Sequence, residues 1–153
     1  MNNVNIRLAQ KQDCSQILAL ITQLAIYEQQ PHAVTVTLAH FTQSGFGNAA
    51  IWTAYVAEVD GVIEGFALFY TRYSTWKGQM LYLEDFYVTP KCRKLGIGKQ
   101  LFDATINYAK TNNLCGLTWQ VLDWNQLAID FYKKYNAIFE TNWTNAKIFL
   151  DLK

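Results

Sequence analysis

Arg93, Gly96 and Gly98 stand at the spacing of an anion site. They follow a stretch, Leu81 to Val88, that is rich in aromatic and aliphatic residues and carries two adjacent acids, Glu84 and Asp85, in its middle. Pro90 stops the strand ladder because it has no N–H to donate, and a helical pattern begins after Gly98 and runs to Lys110. A buried strand that passes through a cationic, glycine-bearing turn into a helix presents first-turn N–H groups and the positive end of a helix dipole to one point in space. Glycine at positions 96 and 98 permits the close backbone approach that a Cβ would block. The chemistry that fits is the binding of a phosphate-bearing cofactor.

Other reactive side chains are placed less tellingly. Cys14, Cys92 and Cys115 are scattered, with no metal-ligand spacing, which points to reduced thiols in a cytosolic compartment. Cys92, between Lys91 and Arg93, is read as an incidental thiol. His32 and His40 have no Asp, Ser or Cys arrangement around them to make a triad and are assigned surface or packing roles. No metal site is expected.

The elements that must position the anion site follow from periodicity and turn signals. Val4 to Leu8 alternates as an opening strand, with Arg7 read as a solvated edge charge. Asp13 is placed as the N-cap of a helix to about Tyr27, whose stripe is Ile17, Leu18, Leu20, Ile21, Leu24 and Ala25. Thr35 or Thr37 caps a short helix through Phe41, and Gly45 to Asn48 is read as a loop. Strands over 52–59 and 62–73 meet at Asp60-Gly61, a strong hairpin signal, and Met80 to Val88 continues the antiparallel meander. After the helix come a strand over 117–122, a helix from about Gln126 to Tyr135 with Asn136 in the left-handed position after it, and one or two strands over 138–143 and 147–152. The strand–helix–strand passage from Met80 to Leu122 makes those two strands parallel neighbours, with a ligand crevice at their carboxyl ends. The expected class is therefore α/β (α+β), a mixed, mostly antiparallel sheet flanked by helices, in one domain spanning 1–153.

Composition narrows the function. A 51% hydrophobic, 15% aromatic chain of 153 residues suits a globular domain with a real core. Thirteen Lys+Arg against twelve Asp+Glu give a net charge of +1, so no overall field draws nucleic acid or an anionic membrane. The basic residues cluster only at Lys91 to Lys99, where a cofactor accounts for them. With no cleavable leader pattern and no apolar run approaching ~18 residues, a cytoplasmic location is expected.

Arg93-Lys94-Leu95-Gly96-Ile97-Gly98 resembles the acyl-CoA motif Arg/Gln-x-x-Gly-x-Gly/Ala of the GNAT superfamily of N-acetyltransferases. Leu81-Tyr82-Leu83-Glu84-Asp85-Phe86 is similar to the corresponding strand of its spermidine/spermine (diamine) acetyltransferase branch. Trp124-Asn125 with Ala128-Ile129-x-Phe131-Tyr132-Lys133 resembles the branch's second conserved helix, and the segments at Asp13 and Gly45 resemble its N-terminal region. The likeness covers nearly the whole chain. It implies the GNAT fold, with the parallel strand pair splayed at the acetyl-CoA site, and a homodimer.

The resemblance also implies roles. Backbone amides from Leu95 through Gly96 and Ile97 to Gly98, helped by Arg93 and with Lys94 as an added phosphate contact, hold the CoA pyrophosphate. Main-chain groups of Phe86 and Val88 pair with the pantetheine arm like an added strand. Asn125 hydrogen-bonds the cofactor, and Tyr132 is the general acid for the departing thiolate. An alkylammonium, with a pKa near ~10.4, must lose a proton before it can attack, and Glu84 is the candidate base. Asp85, next on the strand, points to the opposite face unless a bulge intervenes. With Trp76 and Glu28 it is assigned to amine binding, set against simple ion pairing for Asp85, core packing for Trp76 and exposure at a helix end for Glu28.

Three positions depart from the polyamine pattern: Ser74, Thr141 and Asn142 stand where those relatives carry acids. The expected activity is acetyl-CoA-dependent transfer, by direct attack, to a primary amine of a small aliphatic diamine or polyamine. The alternatives are a lysine-like amino acid of the thialysine type, another amine, or a non-catalytic acyl-CoA sensor.

Overall fold

Asp60 and Gly61 both adopt left-handed backbone angles (φ 50° and 83°), which closes the tight hairpin that the sequence announces at this point. Around it the computed structural model, which describes residues 3–150, forms a five-stranded sheet in the order β1 (Val4–Leu8), β2 (Thr53–Val59), β3 (Val62–Ser74), β4 (Gly78–Val88) and β5 (Leu117–Trp119). All neighbours are antiparallel except β4 and β5, which are parallel. The chain divides into two compact units, one reaching Gln120 and one beginning at Val121. The sheet and three helices lie in the first: α1 (Cys14–Tyr27), α2 (Leu38–Phe46) and α3 (Ile97–Thr111). The second contains α4 (Gln126–Lys133).

Each face of the sheet carries its own core. Val56, Phe66, Leu68 and Tyr87 meet Cys14, Ile17, Leu20 and Leu24 of α1 and Phe41 of α2. Ala57, Val59 and Val88 on the other face meet Ile97 and Leu101 of α3. Each fully buried aliphatic side chain contributes about 1.5–3 kcal/mol. The helical stripe of α1 thus faces the sheet as its spacing predicts.

Four local expectations change. Arg7 is no solvated charge: its guanidinium pairs with Asp13 at 2.7 Å and with Glu58 at 2.8 Å. Asp13, buried, also accepts from the Gln10 N–H at 2.7 Å, so its carboxylate organises the turn before α1 instead of capping the helix. The second helix, capped by Thr37 through the His40 N–H, does not stop at Phe41 but runs to Phe46 and takes in Gly45. A Cβ at Gly45 would lie 2.2 Å from the Trp52 ring, so this glycine serves packing rather than a loop. The expected strands over 138–143 and 147–152 do not form among the described residues, and the end of the second lies outside them. An alternating pattern becomes a strand only beside a ladder partner, and Ile138, Ile148 and Phe149 are 91%, 88% and 87% exposed.

Candidate functional site: two acids on a bulge and a turn at a helix start

Strand β4 holds the two acids on a bulge. Leu83 pairs with Phe69 and Asp85 with Leu68, so Glu84 is the extra residue. The bulge resets the alternation. Phe86 packs on the α3 side of the sheet, and Leu83 shares that side through its partner Phe69, whose ring meets Tyr108 of α3, while Asp85 shares the side of Leu68, Tyr87 and α1. Glu84 reaches the same side, where the Tyr70 hydroxyl donates to its Oε2 at 3.0 Å. The bulge that strand alternation alone could not supply is therefore present.

The electrostatics follow from this crowding. Burial, then the Glu84 carboxylate, then that of Glu28 push the half-buried Asp85 carboxyl up to about 7. Glu28 itself, half-buried just past the end of α1, is raised by burial. It is not the exposed helix-end residue of the alternative reading. Tyr70 is pushed up to about 12, first by burial and then by its bond to Glu84. Tyr82 stacks on Tyr70 with ring centroids 5.3 Å apart, and Arg72 lies over the Tyr82 ring at 5.8 Å. Three carboxylates and an aromatic pair thus gather at one end of the sheet face. Such a set can hold an ammonium group and accept its proton.

Tyr70 and Tyr82 were not among the sequence-predicted site residues, although a signal existed. Ser74 pairs with Gly78, and counting outward from that hairpin sets Tyr70 opposite Tyr82. Trp76 is not brought to this cluster. It sits in the turn between β3 and β4, 83% exposed, with its N–H on Ser74 Oγ at 3.3 Å. Roughly 20 Å of strand separates Gly78 from Glu84.

β4 pairs with β5 from Leu81↔Leu117 to Leu83↔Trp119, whereas β4 continues through Phe86 to Val88. Beyond its end the chain makes a tight turn from Pro90 and enters α3. Lys94 (φ 63°) and Gly96 (φ 78°) are both left-handed, and Gly96 is the N-cap of α3. A glycine cap has no side-chain oxygen to occupy the first-turn amides, and apart from its chain neighbours nothing lies within 4 Å of where its Cβ would stand. Lys94 and Leu95 are exposed, Gly98 is half-buried and Ile97 is anchored in the α3 core. Open amides at a helix start beside a cation fit a phosphate group. The Arg93 guanidinium turns inward: its Nε donates to Val88 O at 3.0 Å, and it lies 5.1 Å from the Tyr27 ring centroid and 5.6 Å from that of Tyr87.

Asn125 and Tyr132 belong to the second unit. The Asn125 side chain caps α4, accepting from the Ala128 N–H at 3.2 Å. Spacing assigns Phe131 and Tyr135 to the core, but Tyr132 is the buried member at 5% exposure, with the Phe131 ring 5.4 Å from its own. Asn136, at φ 55°, takes the left-handed position expected of it. A separate hollow, bounded by Gln16, Gln23, Glu64, Thr89 and Lys91, contains none of the predicted site residues. Its Glu64 is already held by Thr89 Oγ1 at 2.7 Å and by Lys91 Nζ at 2.6 Å. Among the described residues no helix is long and apolar enough to cross a membrane.

Comparison with known proteins bears on the family of the chain. Residues 11–137 match the acetyltransferase (GNAT) family. The chain is 37% identical over 142 residues to thialysine N-epsilon-acetyltransferase of Bos taurus, covering 88% of this chain and 84% of that protein. It is 35% identical over 145 residues to spermidine/spermine N(1)-acetyltransferase-like protein 1 of Homo sapiens, covering 90% of this chain and 21% of that longer one. Among solved structures, an aminoglycoside acetyltransferase from an uncultured soil metagenomic sample superposes with a TM-score of 0.79 at 19% identity, over 97% of both chains. An aminoglycoside N-acetyltransferase in complex with CoA superposes with a TM-score of 0.73 at 21% identity, over 99% of this chain and 96% of that one. The fold, the turn at the start of α3 and the extent of the match lead to one conclusion: the chain belongs to the GNAT family and is an N-acetyltransferase.

Proposed function

We propose that the protein transfers the acetyl group of acetyl-CoA to a primary amine of a small aliphatic substrate, a diamine or polyamine or a lysine-like amino acid. The observation that carries this is the Glu84–Asp85 bulge, with Glu28 beside it, on the strand that leads into the Arg93–Gly98 turn. Acetyl-CoA supplies the activated thioester. The amides from Leu95 to Gly98 and the Lys94 ammonium bind its pyrophosphate, and Phe86 and Val88 align its pantetheine arm along β4. Asn125 lends a further hydrogen bond.

Glu84 and Glu28 hold the substrate ammonium by charge. Asp85, with a carboxyl near neutrality, takes its proton, since a base is most effective when its pKa lies near the working pH. Glu84, the candidate base by its place on the strand, stands beside it on the same side of the sheet, close enough to receive the proton directly or through a water. The amine nitrogen then attacks the thioester carbonyl directly. As the tetrahedral intermediate collapses the C–S bond breaks, Tyr132 gives its hydroxyl proton to the departing thiolate, and the second proton lost by the amine nitrogen restores the tyrosine hydroxyl. No residue is acylated. Trp76, on its exposed hairpin, is assigned to the far end of a polyamine and has no contact with a short substrate. The apolar exposure of Ile138, Ile148 and Phe149 supports a homodimer.

The names of the relatives support acceptors of the lysine type alongside polyamines, and the absence of acids at Ser74, Thr141 and Asn142 favours a short substrate. The deciding experiment is thiol release from acetyl-CoA against 1,3-diaminopropane, putrescine, spermidine, spermine, lysine, thialysine and a short peptide. Saturable turnover on an aliphatic amine is expected. Turnover on the peptide alone, or CoA binding without turnover on any amine, sinks the proposal.

A further inference from the structure

The Arg93 guanidinium is sandwiched where a phosphate ligand would be expected to reach outward. One nitrogen is committed to Val88 O, and two aromatic faces, Tyr27 at the last position of α1 and Tyr87 on β4, cover the group at 5.1 and 5.6 Å. The next residue, Lys94, is a non-glycine residue in the left-handed region, at φ 63°. Such a backbone costs about 1–2 kcal/mol and persists only where its surroundings over-determine it. The clamp on Arg93, one residue before it, is a device able to do so. It ties the first residue of the turn to the end of β4 and to α1.

We propose that Tyr27 and Tyr87 are positioning residues for the cofactor, acting through Arg93, whose clamped side chain holds the turn in the shape that aims the amides of Leu95 to Gly98. The inference rests on the acetyl-CoA reading given above. The clamp accounts for an arginine, rather than a lysine, at this position. A planar guanidinium stacks on rings and donates from Nε at once, and an ammonium cannot do both. It also gives a role to Tyr27, which belongs to neither the motif nor the acid cluster.

The test uses the full chain, with CoA affinity measured by calorimetry and acetyl-CoA KM and kcat measured on the best amine. Tyr27→Leu keeps apolar bulk but removes the ring, and should weaken CoA binding and raise the acetyl-CoA KM about three- to tenfold. Its kcat should stay within about twofold, because the reacting groups are untouched. Tyr27→Phe keeps the face and should behave like the parent. In an Arg93→Ala background, Tyr27→Leu should add nothing, since both remove the same strut. Tyr27→Met is the second variant of this kind should the leucine form fail to fold. Unchanged CoA affinity in Tyr27→Leu, or a full additional loss in the double variant, overturns the clamp. Failure of the parent to bind CoA is seen before any variant is made, and overturns the cofactor reading and this inference with it.

Discussion

The Tyr70 hydroxyl donates to Glu84 Oε2 at 3.0 Å across two antiparallel strands, and Glu84 is the residue that the bulge inserts between Leu83 and Asp85. The bond fixes a carboxylate that would otherwise swing into solvent, since Glu84 is exposed. Tyr70→Phe removes the donor and leaves the stack on Tyr82. The amine KM should rise about three- to tenfold, in line with the net worth of one solvent-exposed hydrogen bond, while the acetyl-CoA KM stays as it was. Equal shifts in both constants would remove Tyr70 from the acceptor side.

Asp85 makes the pH dependence predictable. Its carboxyl is raised to about 7 in the folded chain against about 4 when unfolded, so the folded state binds the extra proton between those values. Stability attributable to this group is therefore highest at low pH and is lost as pH rises from about 4 through about 7. Asp85→Asn should flatten that window and stabilise the protein at pH 8 by up to about 4 kcal/mol, read from denaturant midpoints. In the parent, kcat/KM for the amine should climb about tenfold per pH unit below 7. Asp85→Asn should abolish that limb together with most of the rate, and persistence of the limb in this variant would assign it to another group.

Tyr132 is tested by a single atom. Tyr132→Phe should lower kcat about 10²-fold or more, the range for loss of a general acid, with CoA affinity unchanged. The buried ring is retained, so the melting temperature should move little. A normal kcat would pass the proton to water or to another residue.

Arg7 carries a prediction about stability alone. It bridges buried Asp13 and Glu58, and the hydrogen bond from Arg7 holds the Asp13 carboxyl below its ordinary range. Arg7→Met strands the Asp13 charge and should cost about 3 kcal/mol at pH 7. Because a depressed carboxyl stabilises above its unfolded pKa and loses that contribution only as pH falls through its lower folded value, the difference from the parent should begin to shrink below about 4 and go on shrinking as the solution is made more acidic. A gap that stays constant as pH falls from about 7 to about 2 would mean that packing, not charge, is at stake.

The turn from Arg93 to Gly98, the Asp60-Gly61 hairpin, the stripe of α1 and the left-handed Asn136 could all be read in the chain, because each is a local matter. Glycine and asparagine tolerate positive φ, proline ends a ladder, and a 3.6-residue period buries one face. The parallel pairing of β4 with β5 was also legible, since a strand–helix–strand passage permits little else. Tertiary structure decided the rest. Two adjacent residues on a strand point apart unless a bulge intervenes, and nothing local to Glu84 and Asp85 announces one. It is the register against Leu68 and Phe69 on β3 that brings both acids to the side of Glu28 and Tyr70. In the same way a ring of Tyr27, 66 positions away in the chain, reaches Arg93 only because α1 packs on the sheet. Contacts between distant parts of a chain depend on how whole faces pack, and no short spacing encodes them.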